Sequence, residues 1–424
     1  MASASSHAPV VARLILKPGR ERPLLQRHPW VFSGAVARVE GNPEPGATLP
    51  VVSGDGEFLG VAGWNPASQL CARIWTFADE PVDAAFFRRR LAAALALRRL
   101  EGLAPAATLA GSRAAFRLVH AEADGLPGLI ADVYAGFIVL QVLTLAVEKN
   151  LPVILDTLAE LLSPEGIYER SDVDLRTREG LEERTGVLRG VEPPDRVEIA
   201  EGGLRLLVDL KRGQKTGFFL DQRDNRRIVA DYAERLAMQR QAEGRPSSLE
   251  ILNAFSYTGG FGLAAARACP GARVVHLDAS AEALALARDM AELNGLDPAG
   301  MEFLVGNAFE LLRKFRDQAR QFDLIVLDPP KFAASQAAVD KAARGYKDLA
   351  LLGFKLLRPG GLMATFSCSG AVSPELFQKI IAGAAVDARC ETQILHRLGP
   401  GPDHPLLPAF AEGEYLKGLL LRRE

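Results

Sequence analysis

From Ser248 to Leu327 the chain repeats one pattern: a short apolar run, a turn, a helix-length segment, then another apolar run. The runs are Leu249–Asn253, Arg273–Leu277, Glu302–Val305 and Asp323–Leu327. The segments between them start at Gly260, span Ser280–Asn294 and span Ala308–Arg316. Parallel strands need a crossover between them, and a crossover helix needs a sheet face on which to bury its apolar stripe. Elements alternating at this length therefore predict a parallel, doubly wound α/β sheet. Ser280 is placed to cap one helix and Gly295 to end it. Leu362–Phe366 adds a fifth strand, which stops at Ser367-Cys368-Ser369-Gly370.

Upstream the punctuation differs. Leu14–Leu16, Trp30–Phe32, Leu49–Val52, Phe58-Leu59 and Cys71–Trp75 are short apolar runs separated by turn signals such as Pro18-Gly19, Gly41-Asn42-Pro43 and Gly54-Asp55-Gly56. Such spacing predicts a small β-barrel or sandwich. A helix is expected from Asp83 through Leu100, with Phe86, Phe87, Leu91, Leu95 and Leu97 on its apolar stripe. Strands at Arg117–Ala121, Gly128–Tyr134 and Phe137–Leu143 and a helix near Ala146–Leu162 predict an α+β module. Glu192-Pro193-Pro194-Asp195 makes a linker before a hairpin at Val197–Ala200 and Leu204–Val208. The chain of 424 residues is thus expected to divide into a β-barrel over 10–80, a central α+β domain over 81–200 and a Rossmann-like α/β domain over 201–424.

Charge is nearly balanced, with 50 Lys+Arg against 52 Asp+Glu and a net of -2, which on its face argues against a strongly basic nucleic-acid binder. The balance is a sum of unlike parts. Residues 1–100 carry 12 basic and 8 acidic residues, 101–200 carry 9 and 17, 201–240 carry 9 and 6, and 241–424 carry 20 and 21. The four cysteines, Cys71, Cys269, Cys368 and Cys390, form no C-x-x-C pair, so no zinc ribbon or disulfide framework is written here. A polar N-terminus from Met1 to Pro9, and the lack of any run of about 18 apolar residues, lead to the expectation of a reduced, cytoplasmic, non-membrane protein.

The chemistry sits at the strand ends. After the first α/β strand comes Asn253-Ala254-Phe255-Ser256-Tyr257-Thr258-Gly259-Gly260-Phe261-Gly262, where glycines let backbone approach a ligand. The second strand ends in Asp278, 18 residues beyond Gly260, where a carboxylate can accept hydrogen bonds from ribose hydroxyls. The glycine spacing is G-G-x-G rather than the G-x-G-x-x-G of dinucleotide sites, and S-adenosylmethionine needs no phosphate cradle. Asn307, after the third strand, is placed to meet the adenine, and Asp328-Pro329-Pro330-Lys331-Phe332, after the fourth, faces the reacting base. Cys368 ends the fifth strand between two serines and is a candidate nucleophile, whereas Cys71, Cys269 and Cys390 sit in or beside ordinary strand and helix patterns. A thiolate that attacks C6 of a pyrimidine makes C5 nucleophilic enough to take a methyl group.

Arg27–Gly34, Glu122–Ile130, Lys215–Arg223, Phe255–Phe261, Asp328–Phe332 and Phe366–Gly370 together resemble the RlmI-type large-subunit ribosomal RNA cytosine-C5 methyltransferases over nearly the whole chain. That family combines a PUA domain, a central α+β domain and a class I methyltransferase domain. The resemblance implies S-adenosylmethionine as cofactor, Cys368 as nucleophile and Asp328 at the target base. It implies cofactor contacts from Phe255, Ser256, Tyr257, Thr258, Gly259, Gly260, Asp278, Asn307, Asp328 and Pro329, with Asp221 and Gln222 from the segment Lys215–Arg223. RNA contacts are expected from Arg27, His28, Lys215, Arg223 and Lys331, and no metal is expected. The implied partner is large-subunit ribosomal RNA, free or partly assembled; a homodimer stays open. Two positions depart from relatives of this chemistry: Lys331 follows Pro330 where many carry a second cysteine, and Asn307 stands where a carboxylate is common.

C5 and C6 of a paired cytosine lie within the stack, so the base must be flipped or single-stranded, which calls for aromatic and Arg planes beside a positive surface. Trp30 and Phe32 are expected in the barrel core. Arg88–Arg90 with Arg98-Arg99 are read either as an RNA contact or as a solvated helix face, and His404-Pro405 and Glu412–Gly418 as a closing hairpin of the sheet. Competing readings are a uracil-C5 methyltransferase, an exocyclic-amine methyltransferase, a non-catalytic RNA-binding or ribosome-assembly factor and, least, a nicotinamide dehydrogenase.

Overall fold

The computed structural model describes residues 12–424, so the polar segment Met1–Pro9 lies outside the described residues. Two compact units are present. The first comprises the residues up to Ile199 together with Val208–Leu220 and Pro402–Ala411; the second comprises Ala200–Leu207, Asp221–Gly401 and Glu412–Glu424.

In the first unit, β1 (Arg13–Leu16), β2 (Trp30–Val31), β3 (Val36–Glu40), β4 (Thr48–Val52), β5 (Phe58–Trp64) and β6 (Ala72–Thr76) form a six-stranded sheet in the order β2-β6-β5-β4-β1-β3. Leu14, Leu16, Val31, Leu49, Val51, Leu59 and Ile74 close on one another as its core. A short helix, α1 (Arg22–Leu25), follows β1. A second sheet, ordered β11-β10-β9-β8-β7, is built from β7 (Ala115–His120), β8 (Leu129–Tyr134), β9 (Phe137–Val142), β10 (Gly166–Ser171) and β11 (Arg184–Gly190). Helices α2 (Ala84–Leu100) and α3 (Leu145–Leu162) bury Phe86, Phe87, Leu91, Leu95, Val147, Leu151, Ile154 and Leu158 against this sheet, and α4 (Asp174–Arg178) precedes β11. Both long helices start as their sequences demand: Asp83 accepts a hydrogen bond from Phe86 N and Thr144 one from Val147 N.

The two sheets of this unit are tied by buried polar contacts. Glu179, 1% exposed, accepts hydrogen bonds from Asn65 Nδ2 at 2.8 Å, Ser68 Oγ at 2.9 Å and Arg73 Nη1 at 2.9 Å. Trp30 Nε1 donates to Glu122 at 2.8 Å. Arg98, expected on a helix surface, is fully buried and forked onto Asp124 at 2.6 and 2.7 Å, with a further bond to Asp403 O. Arg117 N donates to Asp403 Oδ2 at 2.9 Å, and His404 lies beside Asp403 with 3% exposure. His404-Pro405 therefore falls outside the strands of the closing hairpin, in the long segment that joins Leu398 to Lys417, and buried polar contacts in the first unit hold it. Phe32 likewise departs from expectation, being 52% exposed, because its strand ends at Val31 and leaves the ring outside the core.

A hairpin of β12 (Val197–Glu201) and β13 (Leu204–Val208) precedes the second unit's main sheet. That sheet takes β14 (Glu250–Ala254), β15 (Arg273–Asp278), β16 (Met301–Val305), β17 (Phe322–Leu327), β18 (Leu357–Ser367), β19 (Thr392–Leu398) and β20 (Lys417–Arg423) in the order β16-β15-β14-β17-β18-β20-β19. Strands β14 to β18 pair in parallel, and β20 runs antiparallel between β18 and β19. The expected doubly wound sheet is thus present, with both faces covered. Leu252, Val275, Ile325 and Met363 pack on α8 (Ala308–Asp317), α9 (Val339–Leu356) and α10 (Pro374–Ala388). Ile251, Val274, Leu324 and Ala364 pack on α5 (Arg223–Ala242) and α6 (Gly260–Ala268). Burial on both faces is why these strands read as unbroken apolar runs. Helix α7 (Ala281–Leu293) follows β15 and is capped by Ser280, whose Oγ accepts from Ala283 N at 3.1 Å.

Candidate active site

Strand register brings the polar strand ends to one edge. Ala254 is level with Leu277 on one side and Leu327 on the other, Leu327 with Thr365, and Asp278 with Val305. The turns that follow β14, β15, β16, β17 and β18 therefore open on the same side, around the point where strand order reverses between β14 and β17. That is where open α/β sheets bind ligands.

The turn after β14 is held in an unusual backbone shape. Phe255 and Tyr257 lie at φ 58° and 48° and Gly259 at 83°, so two of the three left-handed positions carry side chains that disfavour them. Hydrogen bonds compensate: Ser256 N donates to Leu277 O at 2.9 Å, Gly259 N to Ser256 O at 2.8 Å, and Tyr257 N to Asp278 Oδ2 at 2.7 Å. Asp278 Oδ1 also accepts from Ser280 N at 2.9 Å. Asp278 thus fixes the turns after β14 and β15, and each of its oxygens retains a lone pair for a ligand hydroxyl.

Buried hydroxyls face this turn without protein partners. Ser256 Oγ and Thr258 Oγ1 are enclosed and unpaired, although such groups are normally hydrogen-bonded. A ligand bearing charged and hydrogen-bonding groups, such as the amino-acid end of S-adenosylmethionine, would satisfy them. With Asp278 for the ribose and the N-terminus of α6 at Gly260, the donor set fits that cofactor. Beneath the turn, His276 is buried with both ring nitrogens unpaired, stacked on Phe303 at 5.1 Å; burial alone pushes its pKa down to about 4, so the ring is neutral.

The remaining expected residues are placed as follows. Asn307 caps α8, its Oδ1 accepting from Phe309 N at 2.9 Å, so that oxygen is engaged in structure. Asp328 follows β17 and accepts from Gln222 Nε2 at 2.9 Å; Gln222 Oε1 accepts from Asn225 Nδ2 at 2.6 Å, which also donates to Gly399 O. Asp221, 2% exposed, accepts from Tyr415 Oη at 2.5 Å. Arg223 stands 3.9 Å from Glu201, and Lys331 is exposed. Arg27 and His28 are in the first unit, Arg27 over the Phe77 ring at 5.0 Å and His28 edge-on to Trp30 and Phe410. Lys215 is there too, 4.5 Å from the Phe219 ring centre, while Asp221–Arg223 count with the second unit.

Cys368 comes directly after β18 and is half-buried. Burial pushes the thiols of Cys71 and Cys269 up to about 11 and raises that of Cys390, which leaves those sulfurs protonated and unreactive at neutral pH. The turn below Cys368 is pinned. Ser369 Oγ accepts from Ala333 N at 3.0 Å and bonds Tyr346 Oη at 2.9 Å, and Lys417 Nζ donates to Ser369 O at 2.9 Å and Val372 O at 2.7 Å. Tyr346, Lys417 and His276 escape sequence reasoning. Each lies in a helix or strand whose apolar neighbours set the pattern, and only Lys417, within the Glu412–Gly418 segment, offered a signal.

A parallel sheet with an antiparallel seventh strand and a nucleoside-binding edge defines a methyltransferase of the Rossmann-like kind. The sequence profile of the S-adenosylmethionine-dependent methyltransferases matches residues 123–422 and that of a PUA-like domain matches 14–77. The chain belongs to this methyltransferase family, and S-adenosylmethionine is its cofactor. It is 48% identical over 411 residues to ribosomal RNA large subunit methyltransferase I of Aeromonas salmonicida, covering 96% of this chain and 98% of that one. The protein of the same name from Erwinia tasmaniensis is 45% identical over 415 residues, covering 97% and 100%. A solved structure from Streptococcus mutans, provisionally described as a SAM-dependent methyltransferase, shares the fold with a TM-score of 0.78 at 21% identity, covering 97% of this chain and 99% of that one. Among the described residues no helix is long and apolar enough to cross a membrane.

Proposed function

We propose that this methyltransferase acts on large-subunit ribosomal RNA and methylates C5 of a cytosine through a covalent adduct at Cys368. The observation that carries the reading is the half-buried thiol at the end of β18, on the cofactor edge of the sheet, in a chain nearly half identical to ribosomal RNA large subunit methyltransferases I. The Cys368 thiolate adds to C6 of the base, and electron density moves to C5. C5 takes the methyl group that S-adenosylmethionine supplies. Loss of the C5 proton to a base then expels the thiolate and restores the ring. Asp328, oriented by Gln222, is assigned to the N3 side of the base, and Arg27, His28, Lys215, Arg223 and Lys331 to RNA. Methylation of an exocyclic amine has no use for the thiol.

The test is transfer of tritiated methyl groups to undermethylated ribosomal RNA, followed by mass spectrometry of the digested nucleosides. The expected product is 5-methylcytidine, with activity abolished in Cys368→Ala. Appearance of 5-methyluridine or an N-methylated nucleoside overturns the base assignment, and full activity in Cys368→Ala overturns the adduct.

A further inference from the structure

We propose that Lys417 is a positioning residue for Cys368: its ammonium fastens the turn beneath the sulfur, and its positive charge holds that sulfur as the thiolate. The inference rests on the reading of Cys368 as the nucleophile. Ser367, the last residue of β18, is the antiparallel partner of Lys417, the first residue of β20, so the lysine enters the sheet level with the point where Cys368 leaves it. Lys417 is 5% exposed, and two of its three N–H groups are taken by Ser369 O and Val372 O, the carbonyls of the turn that follows the cysteine. A carbonyl pair orients an ammonium without neutralising it, and a buried ammonium lacking an anion is costly.

The charged and titratable groups around the pair come from three directions. Lys331 lies in the loop after β17, Tyr346 on α9 beside Ser369, and Glu414 just before β20. Burial pushes the Lys417 ammonium below the usual lysine range. Glu414 and the Cys368 sulfur oppose that by favouring its charge, and Lys331 adds to it. Such coupling is reciprocal: a thiolate that favours the ammonium is favoured by it to the same degree. When the thiol ionises, its proton passes to solvent and the negative charge stays on the sulfur, one residue before the Ser369 carbonyl that Lys417 holds. Ser369 also receives Ala333 N, so the same lysine ties the Cys368 turn to the loop that carries Asp328.

The experiment follows carboxamidomethylation of the full chain by iodoacetamide across pH, without RNA, reading the Cys368 peptide by mass spectrometry so that Cys390 does not contribute. An opposite charge at close range lowers an acid's pKa by roughly 1–3 units. In Lys417→Met the midpoint for Cys368 is therefore expected to rise by at least about one pH unit, slowing alkylation at neutral pH about tenfold. Lys417→Arg, which keeps the charge, is expected to restore it. A folded Lys417→Met protein with an unchanged midpoint overturns the proposal. Should that variant fail to fold, Lys417→Gln takes its place, since an amide still donates to the Ser369 and Val372 carbonyls but carries no charge. Its midpoint is expected to rise likewise, and no change overturns the proposal equally. Because alkylation involves no methyl transfer, failure here is distinct from failure of the nucleophile assignment, which activity of Cys368→Ala decides.

Discussion

His276 and Gly262 are packed so closely that a methyl group on residue 262 would lie 2.5 Å from the imidazole Cε1. Gly262 is in the first turn of α6, so the absence of a side chain there is what admits an imidazole to the middle of β15. Gly262→Ala should overpack this layer and destabilise the protein by about 1–3 kcal/mol. In the double variant with His276→Ser part of that loss should be recovered, Val274 Cγ1 at 2.9 Å remaining in the way, as a urea-denaturation double-mutant cycle would read. Strictly additive effects would contradict the steric account.

The same imidazole makes stability pH-dependent. Its folded pKa of about 4 lies below the ordinary value of 6.5, so the unfolded chain binds the proton more readily. The contribution of neutral His276 is complete above pH 6.5 and is lost as pH falls toward 4, at about 1.4 kcal/mol per pH unit in between. Urea unfolding at pH 7.5 and at pH 5 should show a steeper loss for the natural protein than for the His276→Ser, Gly262→Ala pair. Parallel losses would refute it.

Glu179 is the acceptor for Asn65, Ser68 and Arg73, all brought from the first sheet of its unit. Removing it strands three donors, one of them charged. Glu179→Ala should cost about 3–5 kcal/mol, visible as a lowered melting temperature. A loss under about 1 kcal/mol would show that water replaces the carboxylate without penalty.

Asp278 orders Tyr257 N and Ser280 N and is assigned to the cofactor ribose. Asp278→Ala should raise the Kd for S-adenosylmethionine about tenfold to hundredfold, the equivalent of one or two charge-assisted hydrogen bonds. Calorimetry checks this, and an unchanged Kd would place the ribose elsewhere.

How far these sites could be foreseen depended on what set the local pattern. Strands β14 to β17 were legible because burial on both faces leaves continuous apolar runs, and α6 and α7 because Gly260 and Ser280 mark where they begin. Helix α5 was not, since in Arg223–Ala242 the buried positions are Asn225, Arg226, Val229 and Ala233, too polar a set to announce a core face. Arg98 misled for the opposite reason: its charge reads as surface, and only Asp124 and Asp403, distant in sequence, make its burial tolerable. Cys368 was visible at its strand end, whereas the lysine that fastens its turn comes from β20, nearly fifty residues on.

The chain leaves the second unit at Pro402 and returns to it at Glu412, having spent the interval in the first. Asp403, the acceptor for Arg117 N, and Phe410, packed on Trp30, are thus supplied to the first unit by a stretch encoded far downstream of the rest of it. A gene cut near codon 200 would give an N-terminal fragment lacking the acceptors for the Arg117 amide and for one Arg98 N–H, with a hole beside its tryptophan. The interleaving makes the two units inseparable by simple truncation, so exchange of either between relatives would have to carry this ten-residue stretch along with it.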